Sequence, residues 1–276
     1  MNKLSLGRVD LIKTFNQARF QLRYFSRTYY PVSMQNWGSM PVNRIFCPLI
    51  DSRIGENYIE DCRGKHILIP GNLYFVPPYL PTRWQLDSQL NFLSVHSHLE
   101  ILPGVELFSN CQQMLILPKK KVISRLLKCL YSPPEHAILN AQKAGIEIYS
   151  LLISFLDHYP EDDFWGPLSL KRYSTLSEFL IYHGTAQTSV SDIAKLAGES
   201  RESFTRHFTN HTGITPKQMI DRYVIRRCMD LLSSGCSIKE TAFRLKFSNE
   251  FAFSRYFKRL MGESPSYWIK HENNRI

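Results

Sequence analysis

The sequence predicts an α+β fold in two parts: an antiparallel β-barrel or sandwich followed by a helical hairpin, then an all-helical region. Three patterns predict it. Between about residues 40 and 110, strand-length apolar runs alternate with Gly, Pro, Asn and Asp. From about 119, apolar residues recur at helical spacing instead. The last hundred residues contain an internal duplication with a period of 48–49. A chain of 276 residues is long enough to bury two separate cores.

The strand candidates are Arg44-Ile45-Phe46-Cys47, His66-Ile67-Leu68-Ile69, Leu73-Tyr74-Phe75-Val76 and Leu90-Asn91-Phe92-Leu93-Ser94-Val95. Pro70-Gly71-Asn72 and Pro77-Pro78 separate them and forbid a helix there. Val122, Ile123, Leu126, Leu127 and Leu130 then mark an amphipathic helix near 119–131. Ser132-Pro133-Pro134-Glu135 reads as an N-cap, first-turn prolines and an acid three residues on. It opens a second helix to about 158, with Ala141, Ala144, Ile148, Leu151, Leu152 and Phe155 on its stripe. The run from Pro160 to Pro167 breaks that pattern. The domain boundaries that follow are 1–160, a linker at 161–172, and 173–271.

The duplication aligns Ser189, Asp192, Ala194, Ser200, Phe204, Arg206, Phe208, Gly213 and Pro216 with Ser237, Glu240, Ala242, Ser248, Phe253, Arg255, Phe257, Gly262 and Pro265. The offset is 48 up to Ser248 and 49 afterwards. Each copy reads as helix–turn–helix, at about 190–211 and 238–260. Ser189 and Ser237 cap the first helices, and Ser200 and Ser248 the second. Phenylalanines four apart face inward, so Arg206 and Arg255 face outward. Pro216 to Ser233 is a connecting helix, a rod of roughly 25 Å. Equivalent major-groove faces of B-DNA lie about 34 Å apart, so such a rod suits two units that enter successive grooves.

The charge agrees. The chain carries +10 overall, and residues 171–276 hold 17 Lys and Arg against 10 Asp and Glu. Concentrated basic charge attracts polyanions, nucleic acid foremost. No apolar run approaches the ~18–20 residues that span a bilayer. The six cysteines, Cys47, Cys62, Cys111, Cys129, Cys228 and Cys236, are scattered and form no Cys-x-x-Cys pair. They read as reduced thiols of a cytoplasmic protein.

Phe253-Ser254-Arg255-Tyr256-Phe257-Lys258-Arg259 and Gly262-Glu263-Ser264-Pro265-Ser266-Tyr267, with the matching residues of the first copy, resemble the AraC/XylS family of bacterial transcription regulators. The likeness covers about 173–271. Ile69 to Pro78 and Pro103 to Phe108 resemble, more weakly, the family's cupin-like sensor domain. One departure is Lys246, where the family has Gly. A left-handed turn there costs a non-glycine residue on the order of 1 kcal/mol, so the turn is distorted or the lysine is tolerated because it reaches a phosphate.

The resemblance implies base contacts at Glu202, Thr205, Arg206, Asn249, Glu250, Ser254 and Arg255, and phosphate contacts at Arg201, Lys246, Lys258 and Arg259. It implies double-stranded DNA, RNA polymerase and a small-molecule effector, often a sugar, as partners, and a homodimer with no membrane attachment. The effector pocket falls on Arg44, His66, Tyr74, Arg83, Trp84, His96 and His98. Leu126, Leu130, Ile148, Leu152 and Phe155 are the expected dimer seam, burial within the same subunit being the alternative.

No phosphate-binding loop, dinucleotide motif or nucleophile elbow occurs, and neither a catalytic residue nor a cofactor is expected. Two alternatives remain open. His96, His98 and Glu100 would share a strand face, as in a metal-dependent cupin enzyme fused to a DNA-binding domain, although the spacing does not fit that pattern and no metal is expected. The second alternative is a ligand-independent regulator whose barrel only assembles the dimer.

Overall fold

The computed structural model describes residues 18–29, 34–49, 57–88, 90–160 and 173–273. Residues 19–99 and 106–160 belong to one compact unit, and residues 100–105 and 173–273 to another. The linker expected at 161–172 lies outside the described residues.

The β-rich unit is built on strands β1 (Arg19–Tyr29), β2 (Met34–Gly38), β3 (Asn43–Pro48), β4 (Tyr58–Asp61), β5 (Gly64–Ile67), β6 (Asn72–Val76), β7 (Thr82–Leu86), β8 (Asn91–Leu102), β9 (Val105–Glu106) and β10 (Leu115–Pro118). They form two sheets rather than one closed barrel. One runs β1-β8-β3-β6-β10 with β9 beside β8, the other β2-β7-β4-β5. The pairings of β3 with β6 and β8, of β6 with β10, and of β7 with β2 and β4 are antiparallel. At Pro70-Gly71 the amide of Asn72 donates to the Ile69 carbonyl at 3.2 Å, and Gly71 takes φ +87. Proline followed by a positive-φ glycine suits a type II turn, and it delivers the chain into β6.

Period-2 alternation decides which residues face which layer. Ile45 and Cys47 of β3, Leu73 and Phe75 of β6, and Leu93 and Val95 of β8 join one core with helices α1 (Lys120–Leu130) and α2 (Ala137–Phe155). Phe46, Tyr74, Val76 and Phe92 point the other way, into a core shared with Ile59, Trp84 and Leu86 of the second sheet. The middle of the six-stranded sheet is therefore covered on both faces, which is why β6 is continuously apolar from Leu73 to Val76. β1 lies outside the expected strand region, yet Phe20 and Leu22 alternate with Arg19, Gln21 and Arg23, and both pack on the helical side.

Two expectations about the hairpin need correction. Ser132 does not cap the second helix. Its Oγ donates to the Lys128 carbonyl at 2.7 Å and closes α1, while a short 3-10 turn, Pro134–His136, leads into α2. The expected dimer seam is also buried. Leu126, Ile148, Leu152 and Phe155 are inaccessible members of this unit's core, and Leu130 packs against it half-buried. Covering the sheet consumes that face, at about 1.5–3 kcal/mol per large side chain.

The helical unit comprises α3 (Ser174–His183), α4 (Val190–Leu196), α5 (Arg201–Thr212), α6 (Pro216–Ser233), α7 (Ile238–Arg244), α8 (Glu250–Met261) and α9 (Pro265–Asn273). Ser189 and Asp192 form a capping box on α4, Ser200 caps α5, Thr215 and Gln218 box α6, and Ser237 caps α7. Phe204 with Phe208 and Phe253 with Phe257 are fully buried, their centroids 5.5 and 5.8 Å apart. Ala194 and Ala242 are buried in the first helix of each unit, small enough for the second helix to cross closely. No helix of the described residues is long and apolar enough to cross a membrane.

Candidate nucleic-acid interface

The first helix of each unit closes with the same backbone bonds. After α4, the amides of Gly198 and Glu199 donate to the carbonyls of Lys195 and Ala194, both at 3.0 Å. After α7, Lys246 and Phe247 donate to Phe243 and Ala242 at 3.0 and 2.9 Å. This is the paired-bond Schellman closure. It needs a left-handed residue, which Gly198 supplies at φ +68 and Lys246 at φ +56. Lys246 thus adopts the conformation expected of the missing glycine, and the turn is not distorted.

One offset is revised. α8 is capped by Asn249, whose Oδ1 accepts from the Ala252 amide at 2.8 Å, and not by Ser248. The offset of 49 therefore begins at the cap, and the outward residues pair as Glu202 with Phe251, Thr205 with Ser254, and Arg206 with Arg255. Asn249 spends its acceptor on the helix start, and Glu250 falls opposite Arg201 in the first turn.

Arg206 and Arg255 lie on the faces opposite the buried phenylalanines and are exposed, with no ion pair to any described residue. Arg201 and Lys258 are also exposed. Glu202 and Glu250 lie in first turns, where the helix dipole favours an acid. The Thr205 hydroxyl donates back to the Arg201 carbonyl at 2.7 Å. Arg259 is drawn sideways: it sits 3.7 Å from Asp221 of α6 and over the Tyr256 ring. The sequence reading passed over Phe251, which projects beside Arg255. An offset of 49 at the cap was the signal that could have found it.

In the β-rich unit the expected pocket residues divide. Arg44 and His96 are directly paired across β3 and β8, so their side chains share the face toward the second sheet. Arg44 is buried, stacks 5.2 Å over Trp84, and donates from Nη2 to Thr82 Oγ1 at 3.2 Å. Trp84 Nε1 donates to the same oxygen at 2.9 Å. No carboxylate among the described residues pairs with this guanidinium, and burial pushes its pKa down to about 10.

The others are engaged elsewhere. The Tyr74 hydroxyl donates to the Ile67 carbonyl and accepts from the Ile69 amide, so it is a core residue. His66 sits 2.8 Å from Asp61. Arg83 lines a separate open cleft of about 700 Å³ with Glu60, Asp61 and Cys62. His98 pairs with Glu106, His96 lies against Tyr24 and near Ser94, and Glu100 pairs with Arg226 within the helical unit. The three suspected metal ligands therefore have three different sets of partners.

All six cysteines are free thiols. Cys47, Cys111 and Cys228 are buried, and burial raises the thiol pKa of Cys47 and Cys228.

A helix-turn-helix domain model matches residues 193–271. The chain is 26% identical over 233 residues to the raffinose operon transcriptional regulatory protein RafR of Pediococcus pentosaceus, covering 78% of this chain and 83% of that one. It is 25% identical over 273 residues to the Msm operon regulatory protein of Streptococcus mutans, covering 91% and 96%. Its fold matches ToxT of Vibrio cholerae in a crystal structure with an unsaturated fatty acid bound, at a TM-score of 0.55, 14% identity, and 91% and 94% coverage. The two capped helix–turn–helix units with their outward arginines thus form a DNA-binding domain of the AraC type, in a chain that is similar over most of its length to transcriptional regulatory proteins of operons.

Proposed function

We propose that the chain reads two successive major-groove segments with α5 and α8 and that a small effector, a sugar or related metabolite, controls it. The observation that carries the DNA reading is the repeated frame: Arg206 and Arg255 occupy matching outward positions, each without a counter-charge among the described residues. An arginine so placed suits the O6 and N7 acceptors of guanine. Thr205 and Ser254 flank them, and Glu202 is placed to accept from a base amine. Arg201, Lys246 and Lys258 supply phosphate contacts. RNA polymerase is the partner through which the bound regulator would act.

The effector reading rests on Arg44, Trp84, Thr82 and His96, which place an aromatic face and hydrogen-bond donors together between the sheets. Arg44 Nε is buried with no hydrogen-bond partner among the described residues, a donor that suits a sugar hydroxyl. The relative named for a raffinose operon favours the same class. Selecting DNA from a random pool with the purified chain tests the first part: a protected site of about two helical turns is expected, and a one-turn site would count against it. Thermal unfolding with raffinose and related sugars tests the second. A ligand at a hundred times its Kd adds about 2.7 kcal/mol to stability, and no shift with any sugar tried would remove sugars as the class.

We further place the dimer contact on the outer face of α2. Leu139, Ile146 and Ile153 are exposed there one heptad apart, with Ile138 beside them, an apolar stripe of the kind that marks a protein contact. Two tethered DNA-binding units would raise each other's effective concentration at a tandem or palindromic site.

A further inference from the structure

The outward face of α8 carries an apolar group where α5 carries an acid. Phe251 is 71% exposed. It lies one turn before Arg255 and two turns before Lys258, on the side away from the buried Phe253 and Phe257. Its place is fixed, because the Asn249 cap anchors the helix start two residues earlier. On a face otherwise made of Ser254, Arg255 and Lys258, no described residue covers this phenylalanine.

Inside a major groove the choice of contacts is narrow. Base edges offer hydrogen-bond donors and acceptors, which a phenyl ring cannot satisfy, and one apolar group, the 5-methyl of thymine. We infer that Phe251 packs on a thymine methyl, so that α8 reads a thymine by van der Waals contact beside the base read by Arg255. Glu202 holds the matching place in α5 and presents an acceptor instead, whose complement is the cytosine N4 amine. The two half-sites would therefore differ in sequence although the units share one frame. This inference rests on the proposed entry of α8 into a major groove.

The test uses the full-length chain and a duplex it selects from a random pool. Each thymine is replaced in turn by deoxyuracil, which removes the methyl and nothing else. One or two positions in the half contacted by α8 should weaken binding about three- to tenfold, the effect of one buried methyl. Phe251→Ala should lose affinity for the thymine duplex and bind thymine and uracil versions of those positions equally. The side chain is exposed, so its melting curve should overlay that of the parent. Equal binding of all uracil duplexes by the parent, or undiminished uracil sensitivity in Phe251→Ala, would overturn the inference alone. Failure to enrich any duplex would overturn the docking of α8 and the inference with it.

Discussion

Replacing Lys246 by glycine separates backbone strain from charge. Lys246 holds φ +56 between α7 and α8, in the turn that Gly198 makes at φ +68 between α4 and α5. A left-handed non-glycine residue costs about 1–2 kcal/mol. Glycine's extra freedom in the unfolded chain takes back about 0.4–1 kcal/mol of the relief, leaving a net gain of about 0.5–1 kcal/mol for Lys246→Gly. The lysine side chain is exposed and makes no ion pair among the described residues, so the fold loses nothing else. Lys246→Ala is the control, since it removes the same charge and keeps the strain. In urea unfolding the glycine variant should have the highest midpoint, with alanine within about 0.5 kcal/mol of the parent. On DNA both variants should weaken equally, and each should flatten the log–log salt slope by about 0.9 if the ammonium sits on a phosphate. A glycine variant no more stable than the alanine variant would refute the strain, and an unchanged slope in both would refute the phosphate contact.

Further outcomes follow from the same geometry. Ile146→Glu should give a monomer in sedimentation with an unchanged melting curve, whereas Leu152→Ala should cost about 2–5 kcal/mol in stability through a core cavity; a dimer that survives Ile146→Glu would move the contact away from α2. Arg206→Ala should relax preference at one base pair, worth about 1–3 kcal/mol of discrimination, while Lys258→Ala should weaken all sequences alike; equal losses on all sequences from both would undo the division of labour. Arg44→Met removes a buried charge that has no carboxylate partner among the described residues, so the fold should be as stable or more stable, while the effector-induced thermal shift should vanish; retention of that shift would place the effector elsewhere.

The helical unit was the more legible half because its signals are local. Ser189 with Asp192, the Phe pairs, and Gly213 and Gly262 each report on their own turn, and a second copy checks them. The one slip, Ser248 in place of Asn249 as cap, came from two adjacent residues that can both cap a helix, which only backbone geometry separates. In the β-rich unit, strand identity was readable from period and turn residues, but sheet membership was not. Nothing local tells β7 to pair with β2 and β4 instead of joining the sheet of β6. The expected seam failed for a related reason: α2 is apolar on more than one side, and the sequence does not say which side meets the sheet. Ile148 and Leu152 went to the core, leaving Leu139, Ile146 and Ile153 outside. Tyr74 looked like a pocket residue because an aromatic ring can line an apolar wall; its ring fills the core and its hydroxyl joins backbone groups of the preceding turn.

The duplication also separates scaffold from function within a single chain. Where the copies agree and are buried, as at Ala194 and Ala242, Phe204 and Phe253, or Phe208 and Phe257, the residue is required to close the same helical corner twice. Where they agree and are exposed, as at Arg206 and Arg255, corner closure does not explain the agreement, and a shared external contact does. Where they differ and are exposed, as at Glu202 and Phe251, the frame tolerates the change, because both versions hold the same backbone; at Gly198 and Lys246 it does so at the cost of strain in the second copy. Those positions are free to set what each unit recognises. A swap that places phenylalanine at 202 and glutamate at 251 should therefore leave folding intact and exchange the base preferences of the two half-sites. No single-copy domain could offer that internal control.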